Sequence, residues 1–343
     1  MQRYITITGN NIDAYLNNNY LILFSLRNSR IKAKKLAIME VYFALSSLDT
    51  IFIKNGPLGD LKGVFSFFVP KDSFDKLHIF LKSIGYCDKF YILGFRGKLP
   101  KNNSDLKIKS ELIWKGKPFS INNFYDQDES LYQEHSANNR KFLIKDNNNQ
   151  EKEVFGYRGD GSEFGCRALP VEDARCLINL SDFNTSLRML DPFAGGGGII
   201  YQAKYIKKTI DVYSIDIDPV LAPGLRYYGS KHFTANSSEL IFADDFFDSI
   251  VTEVPFSNKA TGDIIKTIKN LKNSINKNGS LVMMSSFEQS SIIADYINEL
   301  GFYQYVSQRI NRKGNDVVIM AWFKSLNKYK NIEAIINLIK NVF

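Results

Sequence analysis

The chain has 343 residues, of which 44% are hydrophobic and 23% are charged, a composition typical of an ordinary globular protein. This length is sufficient for two domains with separate cores, and the lack of any run of about 18 apolar residues argues against a membrane-spanning helix. The three cysteines show neither paired spacing nor nearby histidines, so we expect no disulfide framework and no metal site.

The formal net charge of +8 is concentrated in the N-terminal third of the sequence. Residues 1–120 contain 19 Lys and Arg against 9 Asp and Glu, which gives +10, whereas the other 223 residues carry 25 against 27, which gives −2. This asymmetry favours a surface that binds a polyanion such as RNA. The alternative is a Lys- and Asn-rich composition that places lysines on any solvated face. The N-terminus lacks the apolar segment of a signal peptide, so we expect a cytoplasmic protein.

Strand and helix patterns alternate over residues 1–95 and predict a small α/β domain of ferredoxin-like type. The predicted elements are strands at 4–8 and 20–24, a helix at 30–45, a strand at 64–69, a helix at 74–84 capped by Asp72 or Ser73, and a strand at 89–93. Residues 96–154 are rich in Lys and Asn, and are predicted to form a linker with short strands such as 111–114.

A glycine-rich stretch at 156–165 precedes a predicted helix and has two open interpretations. It is either a loop over the mouth of a ligand site, where Arg158 and Arg167 can meet a phosphate or carboxylate, or an ordinary connection. The aromatic residues of the preceding segment also have two interpretations, stacking on unpaired bases or packing onto a domain. They are Trp114, Phe119 and Tyr125.

From residue 188 onward, repeated strand and helix patterns predict a doubly wound, mostly parallel sheet of the Rossmann-like class. Strands are expected at 189–193, 212–216, 240–243, 250–253 and 280–284, helices at 199–208, 219–230, 264–275 and 291–300, and an antiparallel hairpin at 303–308 and 316–323. Ligands of such sheets bind outside the carboxyl ends of the strands.

The strongest motif is a strand that ends at Asp191 and is followed by four glycines, 195–198, and a helix. A second strand ends about 20 residues later at Asp216, where such folds bind a ribose. A phosphate-binding loop is disfavoured because no Lys-Ser or Lys-Thr follows the glycines. An acid before the glycines suits a cationic ligand, which indicates S-adenosylmethionine with its ammonium and sulfonium groups.

The sequence Asp191-Pro-Phe-Ala-Gly-Gly-Gly-Gly resembles the Asp-Pro-Phe-Cys-Gly-Ser-Gly-Thr signature of S-adenosylmethionine-dependent RNA methylases, specifically the THUMP-containing group that methylates the exocyclic N2 of a tRNA guanine. Residues 167–180 are similar to the lead-in helix of that family, and the resemblance covers roughly 155–325. It implies a THUMP-like RNA-binding domain at 1–95, a linker at 96–154 and a methyltransferase domain at 155–343, with tRNA as the expected partner.

The candidate site residues fall into two groups, the first assigned by position along the predicted sheet and the second carried over from the resemblance. Those expected to bind the cofactor are Asp191 at the methionine ammonium, Gly195 and Gly197 at the close approach, Asp216 at the ribose, Asp244 or its neighbour Asp245 at the adenine amine, and the adjacent Phe193 and Ile217. Those expected to be catalytic are Glu253, Pro255 and Phe256, which match a strand that ends in Asp or Asn, then Pro-Pro and an aromatic residue.

This catalytic stretch departs from the family pattern, because Glu253 replaces the shorter acid or amide and Val254 replaces the first proline. The extra methylene moves the carboxylate by about 1 Å or more, a displacement that matters for catalysis by positioning. Two further hypotheses therefore stand beside an RNA methylase. One is a non-catalytic RNA-binding or assembly protein, and the other is a methylase of a small molecule or peptide. The sequence does not choose between a partner protein, a homodimer and a monomer.

Overall fold

The computed structural model describes residues 4–5, 12–27, 30, 32–53, 64–93, 110–115, 132–136, 141–145, 151–155, 169–312 and 314–342. The chain divides into two compact units, residues 1–117 together with 332–343, and residues 118–331. Over the described ranges, no helix combines the length and apolar character needed to cross a membrane.

The first unit contains a six-stranded sheet with the order β1-β3-β4-β2-β5-β6. β1 and β3 are parallel, and the other neighbouring pairs are antiparallel. The core is aromatic, since the ring centroid of Phe24 lies 5.8 Å from those of Phe67 and Phe90, all three fully buried. The elements are β1 (Tyr4–Ile5), α1 (Ile12–Leu16), β2 (Asn19–Leu26), α2 (Lys34–Ala44), β3 (Ile51–Ile53), β4 (Val64–Pro70), α3 (Phe74–Leu81), β5 (Cys87–Leu93) and β6 (Ser110–Lys115).

Both predicted helices of this unit are present but shorter than expected, and the predicted cap of the second is wrong. Ser73 precedes α3 but makes no side-chain capping bond, and its backbone angles (φ −102°, ψ −3°) are helical rather than extended. Residues 71–73, Asp72 among them, form a 3-10 turn that leads into the helix. The chain therefore enters α3 without the extended residue that a side-chain cap needs.

The segment expected to be a linker contains regular structure. β6, which includes Trp114, pairs with β5 and so forms the edge of the first sheet. Further along, β7 (Tyr132–Ser136), β8 (Lys141–Lys145) and β9 (Glu151–Phe155) form a three-stranded antiparallel sheet. Phe119, Tyr125, the glycine-rich stretch 156–165 and Arg167 lie outside the described residues.

The second unit contains a seven-stranded sheet with the order β12-β11-β10-β13-β14-β16-β15. Strands β10 to β14 are parallel, and β16 runs antiparallel between β14 and β15. This confirms the predicted mixed α/β, mostly parallel sheet with a C-terminal hairpin. The elements are α4 (Val171–Leu180), β10 (Arg188–Asp191), α5 (Gly198–Ile206), β11 (Asp211–Asp216), α6 (Ala222–Tyr227), β12 (Ser230–Thr234), β13 (Phe247–Glu253), α7 (Thr261–Leu271), β14 (Ile275–Ser286), α8 (Phe287–Glu299), β15 (Tyr303–Arg312) and β16 (Asn315–Phe323). The last helix, α9 (Leu326–Val342), begins in this unit, and its residues from 332 onward belong to the first unit.

The third parallel strand was predicted in the wrong place. Residues 240–243 have no regular structure, and Ile241 is 80% exposed. The strand is β12, an edge strand whose inward residues are Ser230 and His232. Polar residues fill its buried positions, so the strand lacks the apolar signal on which the prediction depended.

Candidate active site

Three acids lie at the carboxyl ends of neighbouring parallel strands. Asp191 ends β10, Asp216 ends β11 on one side, and Glu253 ends β13 on the other side. Because parallel strands end at the same edge of a sheet, the fold brings these three predicted carboxylates to one place.

The turn after β10 reverses the chain through two glycines with positive φ, Gly195 at 50° and Gly197 at 86°. A Cβ at Gly197 would lie 2.9 Å from Leu225 Cδ2, whereas a Cβ at Gly195 would meet nothing within 4 Å. Gly197 therefore permits close packing on α6, and Gly195 borders open space. The Gly195 amide donates to Asp216 Oδ2 at 2.7 Å, so this space lies beside an acid.

Asp191 is buried, with 1% of its surface exposed. The pKa of its carboxyl is raised from 3.8 to about 7: burial is the largest cause, Asp216 and Glu253 also raise it, and hydrogen bonds from the Thr252 hydroxyl and the Phe193 amide lower it. The two hydrogen bonds, 2.7 Å from Thr252 Oγ1 and 3.2 Å from Phe193 N, both reach Asp191 Oδ1. Among the residues that the structure describes, the hydrogen-bond donors to this buried carboxyl are neutral and two acids act on it. A cationic ligand would stabilise its ionised form.

Asp216 is oriented by backbone amides on both carboxylate oxygens. In addition to Gly195, the Asp218 amide donates to Asp216 Oδ1 at 2.9 Å. The next residue, Ile217, is 71% exposed and supplies an apolar surface at the same edge. Phe193 differs, because its ring packs against the hydrophobic core and only its amide faces the acids.

The predicted role of Asp244 and Asp245 at the cofactor is wrong. Both residues are exposed and precede β13, so they lie at the amino edge of the sheet, opposite Asp191. The Asp245 amide donates to Asn273 O at 2.9 Å, and its carboxylate lies 3.8 Å from Lys324 Nζ. The error follows directly from the misplaced third strand, since Asp244 was expected to end it.

Asn236 lies instead at the carboxyl end of the true third strand. Strand β12 ends at Thr234, and the Ala235 amide then donates to Asp216 O at 3.1 Å. The Asn236 side chain accepts from the Ser238 amide at 3.0 Å and begins a short 3-10 helix. The sequence Asn-Ser-Ser-Glu carries this capping signal, which would have located the strand end.

Glu253, which is half-buried, forms an ion pair with the buried Arg312 of the C-terminal hairpin. Arg312 Nη1 donates to Glu253 Oε1 and also lies 3.7 Å from Met284 Sδ. Burial raises the pKa of the Glu253 carboxyl, Arg312 lowers it, and Asp173 of α4 raises it. No local pattern in the sequence indicates this contact, because the partners are 59 positions apart.

The loop after Glu253 is fixed without the first proline of the family pattern. Val254 is buried, and its amide donates to Met284 O at 3.0 Å. The Gln289 Nε2 of α8 donates to Pro255 O at 3.1 Å and to Ser257 O at 2.8 Å. Phe256 between these carbonyls is 39% exposed, so the loop presents a ring at the carboxyl edge.

Gln289 is itself held in place. It is 1% exposed, and its Oε1 accepts a hydrogen bond from Ser286 Oγ at 3.0 Å. Gln289 and Arg312 were not identified from the sequence. Both act on Glu253 and its loop from elements that are distant in the chain.

Two curated proteins share detectable sequence similarity with this chain. A tRNA (guanine(10)-N2)-dimethyltransferase of Methanothermobacter thermautotrophicus is 35% identical over 94 residues, which is 26% of this chain and 27% of the relative. A probable tRNA (guanine(10)-N2)-dimethyltransferase of Methanothermococcus thermolithotrophicus is 29% identical over 129 residues, or 33% of this chain and 78% of that protein. The resemblance predicted from the motifs is confirmed. The two aligned regions cover 26% and 33% of the chain, and the first covers 27% of the relative it matches.

No family model matches the chain. Solved structures with partial overlap include the N-methyltransferase NodS of Bradyrhizobium japonicum with bound S-adenosylhomocysteine, at 13% identity and a TM-score of 0.37 over 45% of this chain and 87% of that one. Another is a ribosomal protein L11 methylase of Lactobacillus delbrueckii, at 15% identity and a TM-score of 0.36 over 44% of this chain and 78% of that one.

Proposed function

We propose that this protein is an S-adenosylmethionine-dependent methyltransferase that acts on an exocyclic amine of RNA, with tRNA as the substrate. The observation that carries the proposal is the cluster of Asp191, Asp216 and Glu253 at adjacent strand ends, beside the open space at Gly195. The similarity to two tRNA (guanine(10)-N2)-dimethyltransferases supports the same reaction class.

The residues present fit this cofactor chemically. Asp191, acted on by two acids and held by neutral donors, matches an ammonium group, and Asp216 matches the ribose hydroxyls. Ile217 offers an apolar contact for adenine, and Asn236 lies where Asp244 was expected. When bound, S-adenosylmethionine supplies the methyl group of its sulfonium.

The chain's contribution to catalysis is to position the amine. Glu253 accepts a hydrogen bond from the amine, and the exposed ring of Phe256 stacks on the base. Pro255 and the Gln289 bonds hold this loop so that the nitrogen lone pair faces the methyl group. Correct orientation of two reactants is worth several orders of magnitude in rate, so positioning suffices as the main source of acceleration.

The first unit is proposed to bind the RNA. Its elements β2-α2-β3-β4-α3-β5 follow the β-α-β-β-α-β order of a ferredoxin-like unit, as the THUMP resemblance implies. Residues 1–120 also carry the whole basic excess of +10. We propose that residues 1–95, together with β6 of the same sheet, form the RNA-binding domain, that the rest of 96–154 is the connecting region, and that 155–343 include the methyltransferase domain, acting in the cytoplasm.

One observation favours a second candidate, a non-catalytic RNA-binding protein on the same scaffold. Glu253 is already engaged by Arg312, whereas the reaction requires it to contact the substrate. The two candidates differ in the effect of Glu253→Ala, which should abolish methyl transfer in an enzyme and change nothing in a binding protein.

The deciding experiment offers labelled S-adenosylmethionine to the full chain with bulk tRNA, DNA or a small-molecule extract in separate reactions. We expect label in tRNA, lost in Glu253→Ala, while calorimetry shows cofactor binding in both proteins. Cofactor binding without label in any fraction would contradict the enzyme and support the second candidate. Label only in the small-molecule extract would contradict RNA as substrate.

A further inference from the structure

The C-terminal hairpin places a cation against the proposed catalytic acid. Strand β16 pairs with β14 only as far as Ser286 and Val317, and the hairpin continues beyond that pair to Asn315 and Arg312. From this extension Arg312 reaches back to Glu253, passing Met284 Sδ at 3.7 Å. The contact therefore joins the hairpin to the end of β13.

The two partners differ in exposure. The Arg312 side chain is 7% exposed, whereas that of Glu253 is 21% exposed. Arg312 is thus the more deeply buried partner, and Glu253 keeps more of its surface accessible to a ligand. Arg312 donates to Oε1, so Oε2 is the oxygen we assign to an incoming amine.

The surroundings of the Glu253 carboxylate explain why it needs a cationic partner. Burial, the largest cause, raises the pKa of the Glu253 carboxyl, and the nearby carboxylate of Asp173 in α4 raises it as well. An uncompensated buried carboxylate becomes protonated rather than remaining charged. A protonated Glu253 would offer one oxygen as a donor and would be a poorer acceptor for an amine. Arg312 is the cation that opposes this change.

We propose that Arg312 is a positioning residue for methyl transfer, which holds the longer Glu253 side chain in one orientation and keeps it ionised. The inference rests on the proposed function, in which Glu253 contacts the amine. It also explains how a glutamate replaces the shorter acid of the family pattern, because a second side chain fixes the extra rotatable bond.

The test compares Arg312→Met, Arg312→Lys and the matched control Arg309→Met in methyl transfer to tRNA between pH 6 and pH 9. Arg309 lies on the same hairpin, is exposed, and pairs with Asp316 rather than with Glu253. We expect Arg312→Met to lower kcat at least about tenfold and to move the acid limb of the pH profile upward by about one pH unit. Arg312→Lys should restore the wild-type acid limb, and Arg309→Met should match wild type.

Cofactor binding measured by calorimetry separates the possible failures. If Arg312→Met binds S-adenosylmethionine as wild type does and keeps the wild-type kcat and pH profile, the positioning role is overturned. An equal loss in Arg312→Met and Arg312→Lys, with an unmoved acid limb, also overturns it and indicates a structural role. A wild-type protein that binds the cofactor but labels no RNA overturns the proposed function itself.

Discussion

The two edges of the parallel sheet carry the same kinds of acid in different surroundings. At the amino edge, Asp211 lies 3.3 Å from Lys231 Nζ and Asp245 lies 3.8 Å from Lys324 Nζ. At the carboxyl edge, the hydrogen bonds to Asp191 and Asp216 come from amides and a hydroxyl. Asp191 and Asp216 therefore differ from Asp211 and Asp245 in the kind of partner they have rather than in residue type.

The largest expected effect is that of removing the charge at the carboxyl edge. Asp191→Asn should weaken S-adenosylmethionine binding by about 100-fold, because it removes a charge-assisted hydrogen bond in a buried place. Calorimetry measures this directly. Asp245→Asn is the matched control at the amino edge and should bind as wild type. Equal affinities of the two variants would contradict the difference between the edges.

Unfolding of the variant would not explain a loss of cofactor binding, because Asp191→Asn should stabilise the ligand-free chain at pH 8. The pKa of Asp191 is raised from 3.8 to about 7, so the folded chain binds more protons than the unfolded chain between these values. The stability that this group contributes falls as the pH rises through that window, by up to about 4 kcal/mol. The Tm of the variant should therefore exceed that of wild type at pH 8 but not at pH 4.

A second prediction concerns the loop that Gln289 holds at the carboxyl edge. Gln289→Leu should lower kcat about tenfold with little change in cofactor affinity, because the carbonyls of Pro255 and Ser257 lose their shared donor. Ser290→Ala, on the same helix and exposed, serves as the control. A variant that loses cofactor affinity as strongly as kcat would show that Gln289 supports the whole site rather than this loop.

Cofactor affinity should also depend on pH. Because the ammonium binds the ionised form of Asp191, the Kd should fall about eightfold between pH 6 and pH 7.5, through the pKa of about 7. Calorimetry at several pH values measures this change. Asp191→Asn should show a flat profile, and a flat profile in wild type would mean that Asp191 is already ionised or does not contact the ligand.

The smallest effect on function is expected at the amino edge. Asp248 Oδ2 accepts from the amides of Leu187 (2.7 Å) and Arg188 (2.8 Å), and so connects β13 to the start of β10. Asp248→Ala should lower the free energy of unfolding by about 2 kcal/mol. The kcat of the remaining folded protein should be unchanged. A loss of kcat without a loss of stability would contradict a purely structural role for this edge.

Local patterns predicted the centre of the site. A strand, glycines and a helix located Asp191 and the turn, and spacing along the chain located Asp216, because each signal lies within one strand-turn-helix segment. The prediction of Asp244 or Asp245 at the adenine was wrong, because β12 buries serine and histidine and does not show an apolar strand pattern. Arg312 and Gln289 could not be found in this way, since their contacts join residues 59 and 34 positions apart.

Because valine stands at 254 where the family pattern has a proline, this position carries an amide proton that can report motion at the site. Proline carries no amide proton, whereas Val254 N–H is directed at Met284 O across the ends of β13 and β14. Its rate of exchange with deuterated solvent reports how often these strand ends separate, at the residue next to Glu253. Amide exchange recorded with and without RNA would therefore follow opening of this seam one peptide away from the acid proposed to hold the methyl-accepting amine.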